Sequence, residues 1–243
     1  MRVPVVHGKI ARRLLVNFRA DPAVVQRVLP APFRPRLHEG FAIAGICLIR
    51  LEQIRPVGLP ALVGISSENA AHRIAVEWTD VGGMCREGVF ISRRDTNSAL
   101  NRLAGGRVFP GEHHGARFSV ADVAGRIEFS LLSLDGEVSV RVIGHEAQAL
   151  PPTSCFRSVA ESSAFFESGS LGYSVTRSGR RFDGLTLKTM EWRARAMEIK
   201  EVASSFFDDA NRFPRGSIEF DHALVMRDIA HEWHRAEDML TRA

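Results

Sequence analysis

Cysteine is scarce in this chain. Cys47, Cys85 and Cys155 are odd in number, lie far apart and form no CxxC pair. That excludes a disulfide framework and a cysteine metal site, and it points to a reducing compartment. No apolar run approaches the roughly 18 residues that span a bilayer, and the opening MRVPVVHGKIARRLL lacks the apolar segment of a secretory leader. The expected location is therefore cytoplasmic, with no membrane partner. Lysine is scarcer still: Lys9, Lys188 and Lys200 are the only three, so nearly all of the 32 basic residues are arginines. The arginines are scattered, often as pairs (Arg12/Arg13, Arg93/Arg94, Arg180/Arg181). Nucleic acid normally requires a concentrated basic face, so the net charge of +4 reads as dispersed, solvated arginine with no nucleic-acid partner.

Catalytic signatures are missing too. There is no GxxxxGK[ST] loop, no GxGxxG fingerprint and no GxSxG elbow. Gly64-Ile65-Ser66-Ser67-Glu68 begins like a nucleophile elbow but lacks the closing glycine, so it reads as a loop entering a strand. His231-Glu232-Trp233-His234 has its histidines three apart, where the zinc-protease helix needs four, and no third ligand accompanies them. No metal or cofactor is implied.

The apolar patterning is mostly that of strands. Over residues 12–19, Leu14, Val16 and Phe18 alternate with Arg13, Asn17 and Arg19. Asp21-Pro22 reads as a cap and first helical turn, and the helix stops before Pro30. Residues 41–52 (FAIAGICLIRLE) are apolar on both alternating sets, which predicts a strand buried on both faces. Further strands are expected over 70–79 and 88–93. Asp95 or Thr96 is expected to cap a helix through SALNRLA that stops at Gly105-Gly106. Asp135-Gly136 suits a hairpin turn between RIEFSLLS and VSVRVIGH. Ser158 and Glu161 have capping-box spacing before another helix. Strands are expected within 185–207 and over 217–226, with a helical tail. No repeated strand–helix rhythm is present, which argues against a doubly wound parallel sheet. The expected class is α+β: one domain over residues 1–243, a curved mixed or antiparallel β-barrel with a few peripheral helices.

Glu112-His113-His114 sits between Phe109-Pro110-Gly111 and Gly115. A carboxylate beside two imidazoles is equipment for proton transfer or metal binding, although the spacing alone favours an exposed polar turn.

Several segments together resemble the acetoacetate decarboxylase superfamily. They are Phe18-Arg19-Ala20-Asp21, then Val28-Leu29-Pro30-Ala31-Pro32-Phe33, the strand entry with Glu68, and Gly105-Gly106-Arg107 followed by Phe109-Pro110. Ser204-Ser205-Phe206-Phe207-Asp208 and Phe220-Asp221-His222-Ala223-Leu224 look more like its DUF2071 (YqjF-like) branch. The resemblance implies a decarboxylase-type barrel with a largely apolar cavity. It also implies a Schiff-base lysine after the aromatic-Pro element, activated by desolvation and a neighbouring cation. Here Gly111, Glu112, His113 and His114 follow Phe109-Pro110, so no amine is available. A family glutamate is matched by Glu68, and the family's first-strand arginine falls at Ala11 with Arg12 and Arg13 alongside.

The expectation is a barrel that binds a small carboxylate or carbonyl compound and performs no lysine-dependent decarboxylation. Arg12, Arg13 or Arg19 would anchor a carboxylate, and Glu68 with Glu112, His113 or His114 would handle protons. The alternatives are metal-assisted chemistry at His113 and His114, and a non-catalytic ligand-binding module, including one assembled as a homo-oligomer.

Overall fold

The structure, a computed structural model, describes residues 5–103, 111–176 and 181–240. β1 (Val6–Ala20) runs into α1 (Pro22–Val28), followed by the short β2 (Arg34–Pro35) and β3 (Leu37–His38) and the long β4 (Phe41–Pro56). β5 (Ile65–Thr79) and β6 (Cys85–Thr96) lead to α2 (Ala99–Leu103). β7 (His114–Val123), β8 (Arg126–Ser133) and β9 (Ser139–Ala147) form a meander before α3 (Val159–Ser168). β10 (Leu171–Val175), β11 (Arg181–Thr189), β12 (Arg195–Ser204), β13 (Ile218–Arg235) and β14 (Met239–Leu240) complete the chain.

The helix ends follow their sequence chemistry. The Asp21 carboxylate accepts from the amides of Ala23 and Val24 at the start of α1. The Ser158 hydroxyl accepts from the Glu161 amide at the start of α3. At α2 the cap is Ser98, whose hydroxyl accepts from the Asn101 amide. Asp95 and Thr96 belong instead to β6, where pairing with β5 and β7 holds them. The expected stop at Gly105-Gly106 lies outside the described residues.

One sheet holds all the strands and closes on itself twice. Its first ring is a nine-strand mixed barrel: β6, β7, β8, β9, β12, β13, β1, β4, β5 and back to β6. Beyond the segments that pair with β7 and β12, β6 and β13 also bond β10 and β11. That makes a second ring of seven strands: β6, β10, β11, β13, β1, β4 and β5. The two rings share the wall β13-β1-β4-β5-β6.

This shared wall explains the two-sided apolar run. On β4, Ala42, Ala44, Ile46 and Leu48 join one core, while Ile43, Cys47, Ile49 and Leu51 join the other. On β1, Leu14, Val16 and Phe18 face the first core and Leu15 the second. Side chains alternate across a strand, so one strand fills both rings only if both its faces are apolar.

The tail is strand, not helix. β13 runs to Arg235 because β1 pairs along its length and β11 pairs with residues 231–235. Its His231 and His234 therefore leave opposite faces of a strand: His231 is buried, and His234 bonds Glu232 at 2.8 Å. Among the described residues, no helix is long and apolar enough to cross a membrane.

Candidate functional site

Within the seven-strand ring lies a cavity of about 110 Å³. Every strand of that ring contributes to its lining, from Arg13 and Leu15 on β1 to Gly172 on β10, Leu185 on β11 and Trp233 on β13. Phe166 of α3, Asn101 of α2, Trp192 and His113 also line it. Much of the wall is aliphatic or aromatic, but charged groups interrupt it: the guanidinium groups of Arg13, Arg73 and Arg94, and the carboxylate of Asp95, which is engaged by Arg93 at 3.0 Å.

Arg13 reaches the cavity by simple alternation from Leu15. Arg94 does so through a β-bulge. Between β5 and β6 the register slips, so that His72 pairs with Arg93 but Arg73 with Ile91, leaving Ser92 as the extra residue. The bulge puts Ile91 and Arg94 on the same face. It turns Arg93 away to Asp95, Asp135 and Glu137, which it meets at 3.0, 2.8 and 2.6 Å.

Arg73 is held by a longer chain of contacts. Its rung of the wall runs Asn17, Gly45, Arg73. With no side chain at Gly45, Arg73 Nη2 spans β4 and donates to Asn17 Oδ1 at 2.7 Å. A Cβ at Gly45 would stand 3.1 Å from that oxygen and 2.6 Å from the Val16 carbonyl. Asn17 in turn bonds His222 Nε2 at 3.1 Å, and the Ser162 hydroxyl lies 2.6 Å from the same nitrogen. His222 Nδ1 meets Asp221 at 2.6 Å. Burial raises the cost of charging Asp221, yet His222, Ser154 and the Cys155 amide hold its carboxyl well below the usual range. Burial lowers the His222 pKa against the pull of Asp221. Because Asn17 Oδ1 already accepts from Arg73, its amide nitrogen donates to a neutral His222. Ser162, His222 and Asp221 have the connectivity of a hydrolytic triad. Ser162 and His222 are 0% exposed and neither lines the cavity, so the set serves as a support for Arg73.

The electrostatics are unusual for a buried wall. Among the described residues no carboxylate forms an ion pair with Arg13, Arg73 or Arg94. Arg73 is 4% exposed and stacks over Phe166 at 4.5 Å. Desolvation lowers both Arg73 and Arg94 to about 10, which leaves them cationic at neutral pH. Arg13 Nη1, Arg73 Nε and Nη1, Trp192 Nε1 and Trp233 Nε1 are buried without a hydrogen-bond partner, and each is an N–H donor. His113 is lowered to about 3 by burial and by Arg94, so it is neutral. Gly111, at φ +83° and with 2.5 Å between its absent Cβ and that of Ser174, brings the chain to His113.

The residues singled out from sequence are dispersed. Arg13 and His113 line the cavity. Arg12 points to the other face and pairs with Glu68 at 2.8 Å, both being buried. Burial raises the Glu68 pKa and Arg12 opposes it. Arg19 bonds Glu219 at 2.7 Å and Asp221 at 3.3 Å, outside the cavity lining. Glu112 is exposed, and His114 meets Asp135 at 3.1 Å at the start of β7. Among the described residues the one group with metal-ligand spacing is His38, Glu39 and Glu161, which includes none of these. The expectation of solvated arginines fails at Arg12, Arg73 and Arg93, which are buried. Arg73 and Arg94 escaped sequence reasoning because a strand pattern carries no mark of a bulge or of a second ring.

The model of DUF2071, a family of uncharacterised conserved proteins, matches residues 9–218. Solved structures with the same fold include an acetoacetate decarboxylase-like enzyme from Sphingomonas wittichii RW1, 13% identical, with a TM-score of 0.61 over 100% of this chain and 95% of that one. Acetoacetate decarboxylase from Legionella pneumophila is 12% identical, with a TM-score of 0.58 over 96% and 87%. The enduracididine biosynthesis enzyme MppR, complexed with pyruvate, is 12% identical, with a TM-score of 0.61 over 100% and 91%. No curated protein matches the chain by sequence.

Proposed function

The chain belongs to the DUF2071 family, and from that premise we propose that it binds a small carboxylate anion in the seven-strand ring, through Arg13, Arg73 and Arg94. One observation carries the reading: three guanidinium groups with no carboxylate ion-pair partner among the described residues border one small cavity, and the Asp95 carboxylate in its lining is taken up by Arg93. Burying an uncompensated charge costs several kcal/mol unless something pairs with it. The unpartnered donors at the wall call for a ligand rich in acceptors. Guanidinium groups suit a carboxylate through paired hydrogen bonds. Size narrows the choice further. A dry engineered cavity of roughly 150 Å³ admits benzene, so about 110 Å³ suits a ligand of no more than a few carbons. Pyruvate, the ligand complexed with MppR, has this size and charge.

The reading excludes lysine Schiff-base chemistry. Lys188 and Lys200 are exposed, and Lys9 pairs with Asp228 at 2.5 Å. None of the three lysines lines the cavity, so an imine on any of them would form outside it. His113, neutral beside Arg94, is placed to hydrogen-bond a carbonyl or hydroxyl of the same ligand.

Thermal unfolding with paired probes tests the proposal: acetate, pyruvate and malonate against acetamide, pyruvamide and malonamide. A ligand at a hundred times its Kd adds about 2.7 kcal/mol to stability, which raises Tm by several degrees in a chain of this size. At least one acid is expected to raise Tm while its amide does not. Equal effects of every acid and its amide would overturn the reading.

A further inference from the structure

The pairing register puts a thiol at the centre of the three arginines. Across β1, β4, β5 and β6, one rung reads Leu15, Cys47, Ala71, Arg94. Arg13 lies two residues from Leu15 on β1, and Arg73 two residues from Ala71 on β5. Both are therefore diagonal neighbours of Cys47, at a separation of roughly 7–8 Å that long side chains bridge. Ala71 is too short to fill the space between Cys47 and Arg94. Arg13 Nε donates to Cys47 Sγ at 3.4 Å. Cys47 lines the cavity and is 8% exposed. Beside it, Arg73 is more than nine-tenths buried, with two nitrogens unpartnered.

We propose that Cys47 is the nucleophile of this cavity, and that it reacts selectively with small electrophiles that carry a carboxylate. The proposal rests on the anion-site reading and adds covalent chemistry to it. The arginines hold the acid group, and the electrophilic carbon is then presented to sulfur at high effective concentration. In a displacement, the S–C bond forms as the carbon's bond to its leaving group breaks. The leaving group departs with the electron pair, and the thiol proton passes to solvent. In an addition across a C=C bond conjugated to the acid, sulfur takes the β-carbon and the proton ends on the α-carbon. Neither route needs an oxidant or a reductant.

The other two cysteines supply the contrast. Cys85 is exposed. The Cys155 thiol is pushed up to about 12 by burial and by Asp221, which keeps it from forming the reactive thiolate.

The test is alkylation of the folded wild-type protein with iodoacetate and, separately, iodoacetamide, followed by mass spectrometry of each cysteine peptide. Both reagents attack through the thiolate, so the ratio of their rates at one cysteine cancels that thiol's own ionisation. The iodoacetate-to-iodoacetamide ratio is expected to be at least tenfold higher at Cys47 than at Cys85. It is expected to fall in Arg73→Gln, and malonate is expected to slow the labelling. A Cys47 ratio equal to that of Cys85 would overturn the proposal, as would a Cys47 unreactive to both reagents. If acids raise Tm but Cys47 shows no preference, the covalent proposal fails and the anion site stands. If acids neither raise Tm nor direct labelling, both fail.

Discussion

Single residues in this protein divide by which side of a strand they leave. Arg12 and Arg13 are adjacent, yet Arg12 enters a buried ion pair with Glu68 while Arg13 borders the cavity. Removing one partner of a buried pair typically costs about 3–5 kcal/mol. Glu68→Ala is therefore expected to lower the unfolding free energy by that order while leaving carboxylate binding unchanged, which denaturant unfolding and calorimetry would separate. Buried imidazoles set the acid limit. His72, His113 and His231 are depressed to about 3, 3 and 4, in each case chiefly by desolvation. In the unfolded chain they titrate near 6.5. Between about pH 4 and 6.5 the unfolded state binds protons that the folded state does not, so stability falls as pH falls. Each such histidine steepens the loss by up to about 1.4 kcal/mol per pH unit. His72 is 0% exposed, lies against Phe206 and has no hydrogen-bond partner for either ring nitrogen. His72→Phe is therefore expected to fold and to flatten the acid limb by one histidine's share. An unchanged slope would refute this assignment.

At the scale of elements, the Ser92 bulge decides which arginine serves structure and which serves the site. Arg93→Ala would strip Asp95, fully buried, and two further carboxylates of their common partner. A loss of about 3–5 kcal/mol is expected. Arg94→Ala removes a guanidinium that has no carboxylate partner among the described residues and one hydrogen bond, to Ser174. Its Tm is expected to stay near the wild-type value while carboxylate binding weakens. The same bulge marks where the sequence stops being legible. Alternation revealed the long strands, and Asp21 and Ser158 announced their helices through capping chemistry. Nothing local in Ile91-Ser92-Arg93 signals an extra residue, because the bulge is set by the opposing strand. The tail failed for a related reason: residues 227–235 contain no strand-forming run strong enough to outweigh a helical reading, and only pairing with β1 and β11 fixes them as β13. The site was legible where it follows alternation, at Arg13, and hidden where it depends on Gly45 opening a path across β4 for Arg73.

For the whole molecule, two rings on one wall divide the labour between stability and binding. The nine-strand barrel is filled by side chains such as Phe129, Val140, Met197 and Val225. The seven-strand ring keeps an unfilled space bordered by Arg13, Arg73 and Arg94, with Asp95 committed to Arg93, an excess of positive charge that a small anion would relieve. The buried set of Asp221, His222 and Asn17 stiffens one of those arginines from within the fold. The decisive measurement is calorimetric titration of pyruvate into the wild-type protein and into Arg94→Gln, with the Tm of both recorded. A charge-assisted hydrogen bond contributes about 1.5–3 kcal/mol. An arginine-built anion site therefore predicts one saturable site per chain in the wild type, weakened about tenfold to a hundredfold in the variant, with Tm preserved. Equal affinity in both proteins would contradict it.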